Sequence, residues 1–539
     1  MTAADHPHFD AIIIGAGMSG LYQLHRLRGL GLSARVFEAG SDVGGVWYWN
    51  RYPGARFDSE SYSYGYSFDE ALLKDWSWSE HFAAQPETLA YLNHVADRLD
   101  LRRDITFGAR IKAARFDAKA ALWTVTLEDA TQASARFLIT AVGPLSATVM
   151  PSYPGMDSFR GQAFHTSLWP HEPVVFAGKR VAVIGTGSTG VQTIQEVAKT
   201  AAQLTVFQRS PNWCAPLHNR PISPDEQAEI KATYPQIFER CARTNGGFLY
   251  KADGRLAMEV SPEEREAFYE ELYAAQGFRK WVGNFRDTMT DAAANATISD
   301  FIARKIRQRV TDPKVAEKLI PRDHGYGTRR VPLETHYYEV YNQSNVELID
   351  LNQTPIAAIT ETGLRTSERD FEFDLIVYAT GFDAIVGSLN RIDIRGPDAT
   401  ALRDKWAEGG VSTFLGLAVH GFPNLFTIIG PQNAGTVCNM PRCIEQNVDW
   451  ITALITHMTH AGLTTVEAEA KAQSDWVAHT LEMTTVSLMG SVDSWFTGVN
   501  KNIPGREKRQ SLVYAGGALL YKKTCDEVAA QGYAGMRFG

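Results

Sequence analysis

The chain carries one phosphate-holding pattern twice, and each copy is followed by a charge of opposite sign. In Asp10-Ala-Ile-Ile-Ile-Gly15-Ala-Gly17-Met-Ser19-Gly20 an apolar strand runs into a glycine turn, and the leucine spacing from Leu21 to Leu30 predicts a packed helix behind it. Glycine there lets a pyrophosphate approach the backbone and rest on the helix N-terminus. The next strand, Ala34-Arg-Val-Phe-Glu38, ends in an acid 18 residues beyond Gly20. A carboxylate at that place accepts hydrogen bonds from ribose hydroxyls and repels a 2′-phosphate, so the first site suits FAD or NAD. The second copy is Lys179-Arg-Val-Ala-Val-Ile-Gly185-Thr186-Gly187-Ser188-Thr189-Gly190, and its next strand, Leu204-Thr-Val-Phe-Gln-Arg209-Ser210, ends in arginine 19 residues beyond Gly190. A guanidinium clamps a phosphate where the first copy has its acid, so the second site suits NADPH.

Other stretches add candidate chemistry. Gly44-Gly45-Val46-Trp47-Tyr48-Trp49-Asn50-Arg51-Tyr52-Pro53-Gly54-Ala55-Arg56-Phe57-Asp58 combines glycines, aromatics and one acid. Taken locally, Asp58 reads as an Asx-turn or helix-capping residue. His324-Gly-Tyr-Gly327-Thr328-Arg329-Arg330-Val-Pro sets two guanidiniums side by side, enough by itself to hold phosphate. Ser494-Trp495-Phe496-Thr497-Gly498-Val-Asn500-Lys-Asn502-Ile-Pro504-Gly505 is a Gly/Asn/Pro-rich loop with one tryptophan anchor. Between the two glycine turns lies Phe159-Arg-Gly161-Gln-Ala-Phe-His165-Thr-Ser-Leu-Trp169-Pro170, on an expected interdomain link. A lone histidine such as His165 is more often a hydrogen-bonded structural group than a base.

That last stretch, F-x-G-x-x-x-H-x-x-x-W-P, resembles the fingerprint of the Baeyer–Villiger monooxygenases, and the resemblance runs over nearly the whole chain. It implies an enzyme that uses FAD, NADPH and O2 to insert an oxygen atom beside a ketone carbonyl through a C4a-peroxyflavin, with sulfoxidation as a possible side activity. On the family pattern Arg330 is the catalytic arginine that stabilises the peroxide and the oxyanion of the adduct, and Asp58 lies near the flavin and orients it. Gly15, Gly17, Ser19, Gly20, Glu38, Gly45, Trp47, Asp58, Tyr64, Ile111 and Met440 would contact FAD. Gly185 to Gly190, Arg209, Ser210, Arg329 and Trp495 would contact NADPH or NADP+. Pro144, Leu145, Thr436, Val437, Cys438 and Trp495 would shape the substrate pocket, whose small and apolar residues suit a neutral ketone. Three departures from the family pattern stand out: Thr189 for a usual serine, Phe57 for a frequent cysteine, and a Trp495 loop two residues longer than the form G-A-N-I-P-G.

The elements expected to position these residues form an α/β chain with two Rossmann-like domains and a mostly helical insertion. The A-V-G turn at Ala141–Gly143 and the A-T-G turn at Ala379–Gly381 are the expected exit and return between the domains. The resulting division is 1–145 and 381–539 for FAD, 146–214 and 326–380 for NADPH, 215–325 for the insertion, and a mobile loop near 490–506. Ser223-Pro-Asp-Glu226 and Ser261-Pro-Glu-Glu264 have the form of capping boxes opening helices of the insertion.

Bulk properties narrow the class further. A net charge of −8 argues against a nucleic-acid or anionic-membrane surface, and the absence of a long apolar run argues against a membrane span. The start lacks a secretory pattern, and five scattered cysteines do not make a disulfide framework, so a cytoplasmic enzyme is expected, with a monomer compatible. No metal site is expected. Cys438-Asn-Met-Pro-Arg-Cys443 has the spacing of a flavin disulfide reductase, but such a pair belongs just after the first nucleotide strand, where this chain has no cysteine. The remaining alternatives are a flavin monooxygenase acting on nitrogen or sulfur, whose fingerprint usually lacks Trp-Pro, and a non-catalytic nucleotide sensor.

Overall fold

Each glycine turn is fed by the central strand of its own sheet. The computed structural model describes residues 6–539, apart from the side chains of Thr436 and Val437. Strand His8–Ile14 lies between Ala34–Phe37 and Gln132–Thr140, parallel to both, in an eight-stranded sheet. The sheet continues through Leu122–Leu127, Ile111–Asp117 and Asp393–Arg395 on one side and Ile105–Thr106 on the other, and Leu425–Thr427 pairs with the end of Gln132–Thr140. The second sheet is wholly parallel, in the order Val346–Asp350, Gln203–Gln208, Arg180–Ile184, Leu375–Tyr378, Gln162–His165. Its inner strands are buried on both faces, which is why they read as unbroken apolar runs such as Val181-Ala-Val-Ile184.

The helices after the turns, Met18–Gly29 and Ser188–Val197, start at Gly17 and Gly187. Both pack so close to the preceding strand that only glycine fits. A Cβ on Gly20 would lie 1.9 Å from the Gly15 carbonyl oxygen, and one on Gly190 would lie 2.1 Å from that of Gly185. Helices Pro224–Ala242, Pro262–Ala274, Ala292–Arg309 and Pro313–Leu319 lie in the chain between strands Gln203–Gln208 and Val346–Asp350 of the second sheet. Ser223 and Glu226 form the full reciprocal capping box, whereas Ser261 only accepts from the Glu264 N–H.

The chain crosses between the sheets twice, and the crossings lie side by side. Thr380 Oγ1 donates to the Val149 carbonyl at 2.8 Å, and the Val149 N–H donates to Gly381 at 3.1 Å. Asp383 N–H donates to Ala147 at 2.8 Å and Ile385 N–H to Pro144 at 2.6 Å. The fingerprint is more than a link: Gln162–His165 forms the edge strand of the second sheet, in parallel register with Leu375–Tyr378. Its alternation of Ala163 and His165 with Gln162 and Phe164 is too short to announce a strand without that partner. Among the described residues no helix is long and apolar enough to cross a membrane.

Candidate active site between the two sheets

The first turn builds a cradle with no room for side chains. Gly15 and Gly45 have φ of +103° and +54°, and a Cβ on Gly45 would come within 2.8 Å of the Gly17 Cα. Glu38 is buried at the end of its strand, where its carboxylate accepts from the N–H groups of Ala16 and Gly40, both at 2.7 Å. These bonds pin the carboxylate to the turn and leave lone pairs for hydroxyl donors. A cleft of about 240 Å³ runs beside it, lined by Gly15, Gly17, Glu38, Gly45, Ile111 and Leu145, with Thr148 and Ser167 from the crossing region. The glycine cradle, pinned acid and open cleft fit a dinucleotide with free ribose hydroxyls.

The second turn repeats the geometry. Gly185 has φ of +111°, and a Cβ there would lie 2.4 Å from the Ala379 carbonyl oxygen, as one on Gly15 would lie 2.7 Å from that of Ala141. Thr186 Oγ1 donates to the Ser210 carbonyl at 2.9 Å, fixing the strand end beside the turn. Ser188 and Thr189 open the helix, and Thr189 keeps its carbonyl bonded to Thr193 Oγ1 at 2.9 Å. Arg209 is exposed, and Nη1 donates to Asn502 Oδ1 at 2.7 Å. Arg329, by contrast, is paired with Asp323 at 2.8 Å. Asp323 also meets His324 Nδ1 at 2.7 Å, and these partners hold its carboxyl well below the usual range.

Asp58 and Arg330, 272 positions apart, form an ion pair with Nη2 donating to Oδ2 at 2.5 Å. The Asp58 side chain is only 2% exposed and that of Arg330 29%, so the pair is closed behind and open at the guanidinium. Burial pushes the Asp58 carboxyl above its ordinary range, and the Arg330 charge pulls it back. Phe278 lies under the guanidinium at 4.6 Å from ring centroid to Cζ, and Asn212 Nδ2 donates to the Arg330 carbonyl at 3.2 Å. Tyr52, half-buried and close enough for both charges to act on it, donates to Gln192 Oε1 at 2.8 Å on the helix of the second turn. The pair therefore stands where the Gly44–Asp58 segment meets the second nucleotide turn. Such an arrangement offers a fixed cation, hydrogen-bonded on one edge and stacked on one face, with charge left over for an anion.

Several residues expected at the cofactors have partners of their own. Trp47 and Tyr64 sit in an aromatic cluster with Phe57, whose ring stacks on Tyr64 at 4.2 Å, and Trp47 Nε1 donates to Tyr64 at 3.2 Å. They, Asp58, Arg330 and Met440 are not on the wall of the cleft beside Glu38. Ser19 is buried in the first turn of its helix, and Met440 begins the helix Met440–Ala461. Cys438 is bonded to Cys443, a pairing not expected from five scattered cysteines, because the chain turns into that helix between them. The pocket roles expected of Thr436 and Val437 rest on side chains outside the described residues. Trp495 is half-buried and packs on Phe496 at 4.2 Å.

In the fingerprint, His165 is buried, its Nδ1 meets Ser167 Oγ at 2.8 Å, and it accepts from the Ser167 N–H at 3.1 Å. Burial lowers its pKa to about 4, so it is a neutral group capping a turn. Gly161 is required where a Cβ would meet the Asp374 carbonyl oxygen at 2.7 Å, and Trp169 packs on Phe164 before Pro170. Phe278, Asn212, Tyr52 and Asn502 were not singled out by motif. Tyr52 lies inside the aromatic run and Asn212 three residues past Arg209, but nothing in the sequence ties Phe278 to Arg330.

Residues 10–220 match the flavin-binding monooxygenase-like family. Over 539 residues the chain is 46% identical to the 2-oxo-Δ3-4,5,5-trimethylcyclopentenylacetyl-CoA monooxygenase of Pseudomonas putida, covering 99% of each. It is 44% identical to the acetone monooxygenase (methyl acetate-forming) of Gordonia sp. strain TY-5, over 98% of each. The crystal structure of OTEMO with FAD and NADP superposes with a TM-score of 0.95 at 45% identity, covering 99% of this chain and 100% of that one. The chain belongs to the Baeyer–Villiger monooxygenases, within the flavin-binding monooxygenase-like proteins.

Proposed function

We propose that this protein is an FAD- and NADPH-dependent Baeyer–Villiger monooxygenase that inserts one oxygen atom of O2 beside the carbonyl of a neutral ketone, giving an ester or lactone. The observation that carries the reading is the Asp58–Arg330 pair, a half-exposed guanidinium held by a buried carboxylate at the second nucleotide turn. FAD bound at Gly15–Glu38 supplies oxygen activation, and NADPH bound at Gly185–Arg209 supplies the hydride. The Arg330 guanidinium favours the anionic oxygen nucleophile and then the oxyanion that develops on the attacked carbonyl. Asp58 and Phe278 set the direction of that charge. Glu38 excludes a 2′-phosphate from the first site, and Arg209 with Arg329 selects it at the second.

Trp495 and its loop cover the site, and Pro144 and Leu145 bound the substrate space. We further divide the chain as 1–145 with 381–539 around FAD and 146–214 with 326–380 around NADPH, the helices of 215–325 being inserted, and place the enzyme in the cytoplasm. The test is product analysis of FAD-loaded protein given NADPH, O2 and a panel of linear, cyclic and aryl ketones. Ester or lactone in step with NADPH consumed supports the reading. Consumption that yields only H2O2 with every ketone, but oxides with amines or sulfides, overturns it in favour of heteroatom oxygenation.

A further inference from the structure

Arg209 is held in an unusual way for an exposed cation. Among the described residues no carboxylate pairs with it within 4.0 Å, whereas Arg329 pairs with Asp323 at 2.8 Å. What holds Arg209 is an amide oxygen, Asn502 Oδ1, 293 positions away in the C-terminal loop. An amide accepts the guanidinium hydrogen and orients it without cancelling its charge, which leaves that charge available to an anion.

Asn502 is itself fixed. Its N–H donates to Asn500 Oδ1 at 3.0 Å, and Asn500 Nδ2 donates to the Phe382 carbonyl at 3.0 Å. Asn502 Nδ2 reaches the Thr380 carbonyl at 3.5 Å, and Arg506 pairs with Asp383 at 3.1 Å. The loop is also closed on itself, with Asn500 N–H donating to Arg506 at 3.0 Å. It thus lies on the return crossing, Thr380–Asp383, with one asparagine docked to that crossing and the other extended to Arg209. The loop carries two asparagines, and each makes one of these contacts.

We propose that Asn502 is a positioning residue for coenzyme selectivity: it fixes the Arg209 guanidinium for a 2′-phosphate and ties the Trp495 loop to the presence of that phosphate. The proposal rests on the reading of Arg209 as the phosphate clamp. It follows by linkage that a coenzyme with the 2′-phosphate orders the loop more than one without it, and that an ordered loop favours the phosphorylated coenzyme by the same factor.

The experiment titrates oxidised, FAD-loaded enzyme with NADP+ and with NAD+, following the flavin absorbance, in wild type and in Asn502→Ala, Asn502→Asp and Arg209→Ala of equal flavin content. Asn502→Ala is expected to weaken NADP+ by about 5-fold, the net size of one typical hydrogen bond, and to leave NAD+ within about 2-fold. Asn502→Asp puts a carboxylate on Arg209 and is expected to weaken NADP+ by more than about 10-fold. In parallel, NADP+ but not NAD+ at saturation slows tryptic cleavage at Lys501 and Arg506 in wild type, and Asn502→Ala loses that difference. Equal losses for both coenzymes, or an unchanged NADP+/NAD+ ratio in both Asn502 variants while Arg209→Ala abolishes it, overturns the role of Asn502 and leaves Arg209 as the clamp. Retained selectivity in Arg209→Ala overturns both.

Discussion

The role proposed for Arg330 depends on Asp58 being where it is, and the reverse also holds. A carboxylate 2% exposed stays ionised with difficulty, and the adjacent guanidinium is what keeps it charged. Arg330→Ala therefore removes the fixed cation and leaves a buried acid unpaired. NADPH oxidation is expected to persist in that variant, with ester formation falling at least about 10³-fold and H2O2 appearing in its place. Ester formation near the wild-type rate in that variant would remove Arg330 from the chemistry. Asp58→Asn keeps the shape and loses the charge, so a smaller fall, about 10- to 100-fold in ester formation with the NADPH affinity retained, is expected from steady-state kinetics.

At the scale of elements, the glycine turns and the packed insertion make separate demands. Gly20→Ala forces a Cβ into the Gly15 carbonyl at 1.9 Å, with backbone on both sides, so the helix must move off the strand. The purified variant is expected to hold less than about one tenth of its FAD, read from the ratio of flavin to protein absorbance. Full flavin occupancy would show that the cradle tolerates displacement.

A second demand comes from Glu60, buried beyond Asp58 and joined to the insertion through the Tyr250 hydroxyl. Burial raises its pKa from 4.5 to about 7. The native state then holds the extra proton between about 4.5 and about 7, so stability falls as pH rises through that interval and the loss is complete above it. Glu60→Gln removes this titration. Compared with wild type, it is expected to gain about 2–3 kcal/mol of stability at pH 8 relative to pH 5, seen as a flatter dependence of melting temperature on pH. Parallel curves for the two proteins would contradict the assignment.

At the scale of the whole molecule, two sheets are joined by two crossings that hydrogen-bond to each other. Much of this was legible. The duplicated turn, the opposite charges at Glu38 and Arg209, and the paired A-V-G and A-T-G turns are local patterns, and each dictates its geometry through backbone sterics. Asp58 and Arg330 could be named from the family resemblance, but their contact is a tertiary event across 272 positions that no periodicity encodes. The fingerprint's edge strand depends on Leu375–Tyr378 for its pairing, and the edge-on contact of Trp47 with Tyr64 is set by the fold around them. The Cys438–Cys443 bond and the Asn502–Arg209 contact likewise arise from how a loop lies on the fold.

The central claim is that one atom of O2 enters a ketone next to its carbonyl. It is tested most directly by a turnover under ¹⁸O2 with NADPH, FAD-loaded enzyme and a ketone from the panel that is consumed, the product being read by mass spectrometry. The account predicts an ester or lactone carrying one ¹⁸O atom for each NADPH oxidised, placed in the ring or alkoxy position and not in the carbonyl. A product without ¹⁸O, or with the label in the carbonyl oxygen, would contradict it.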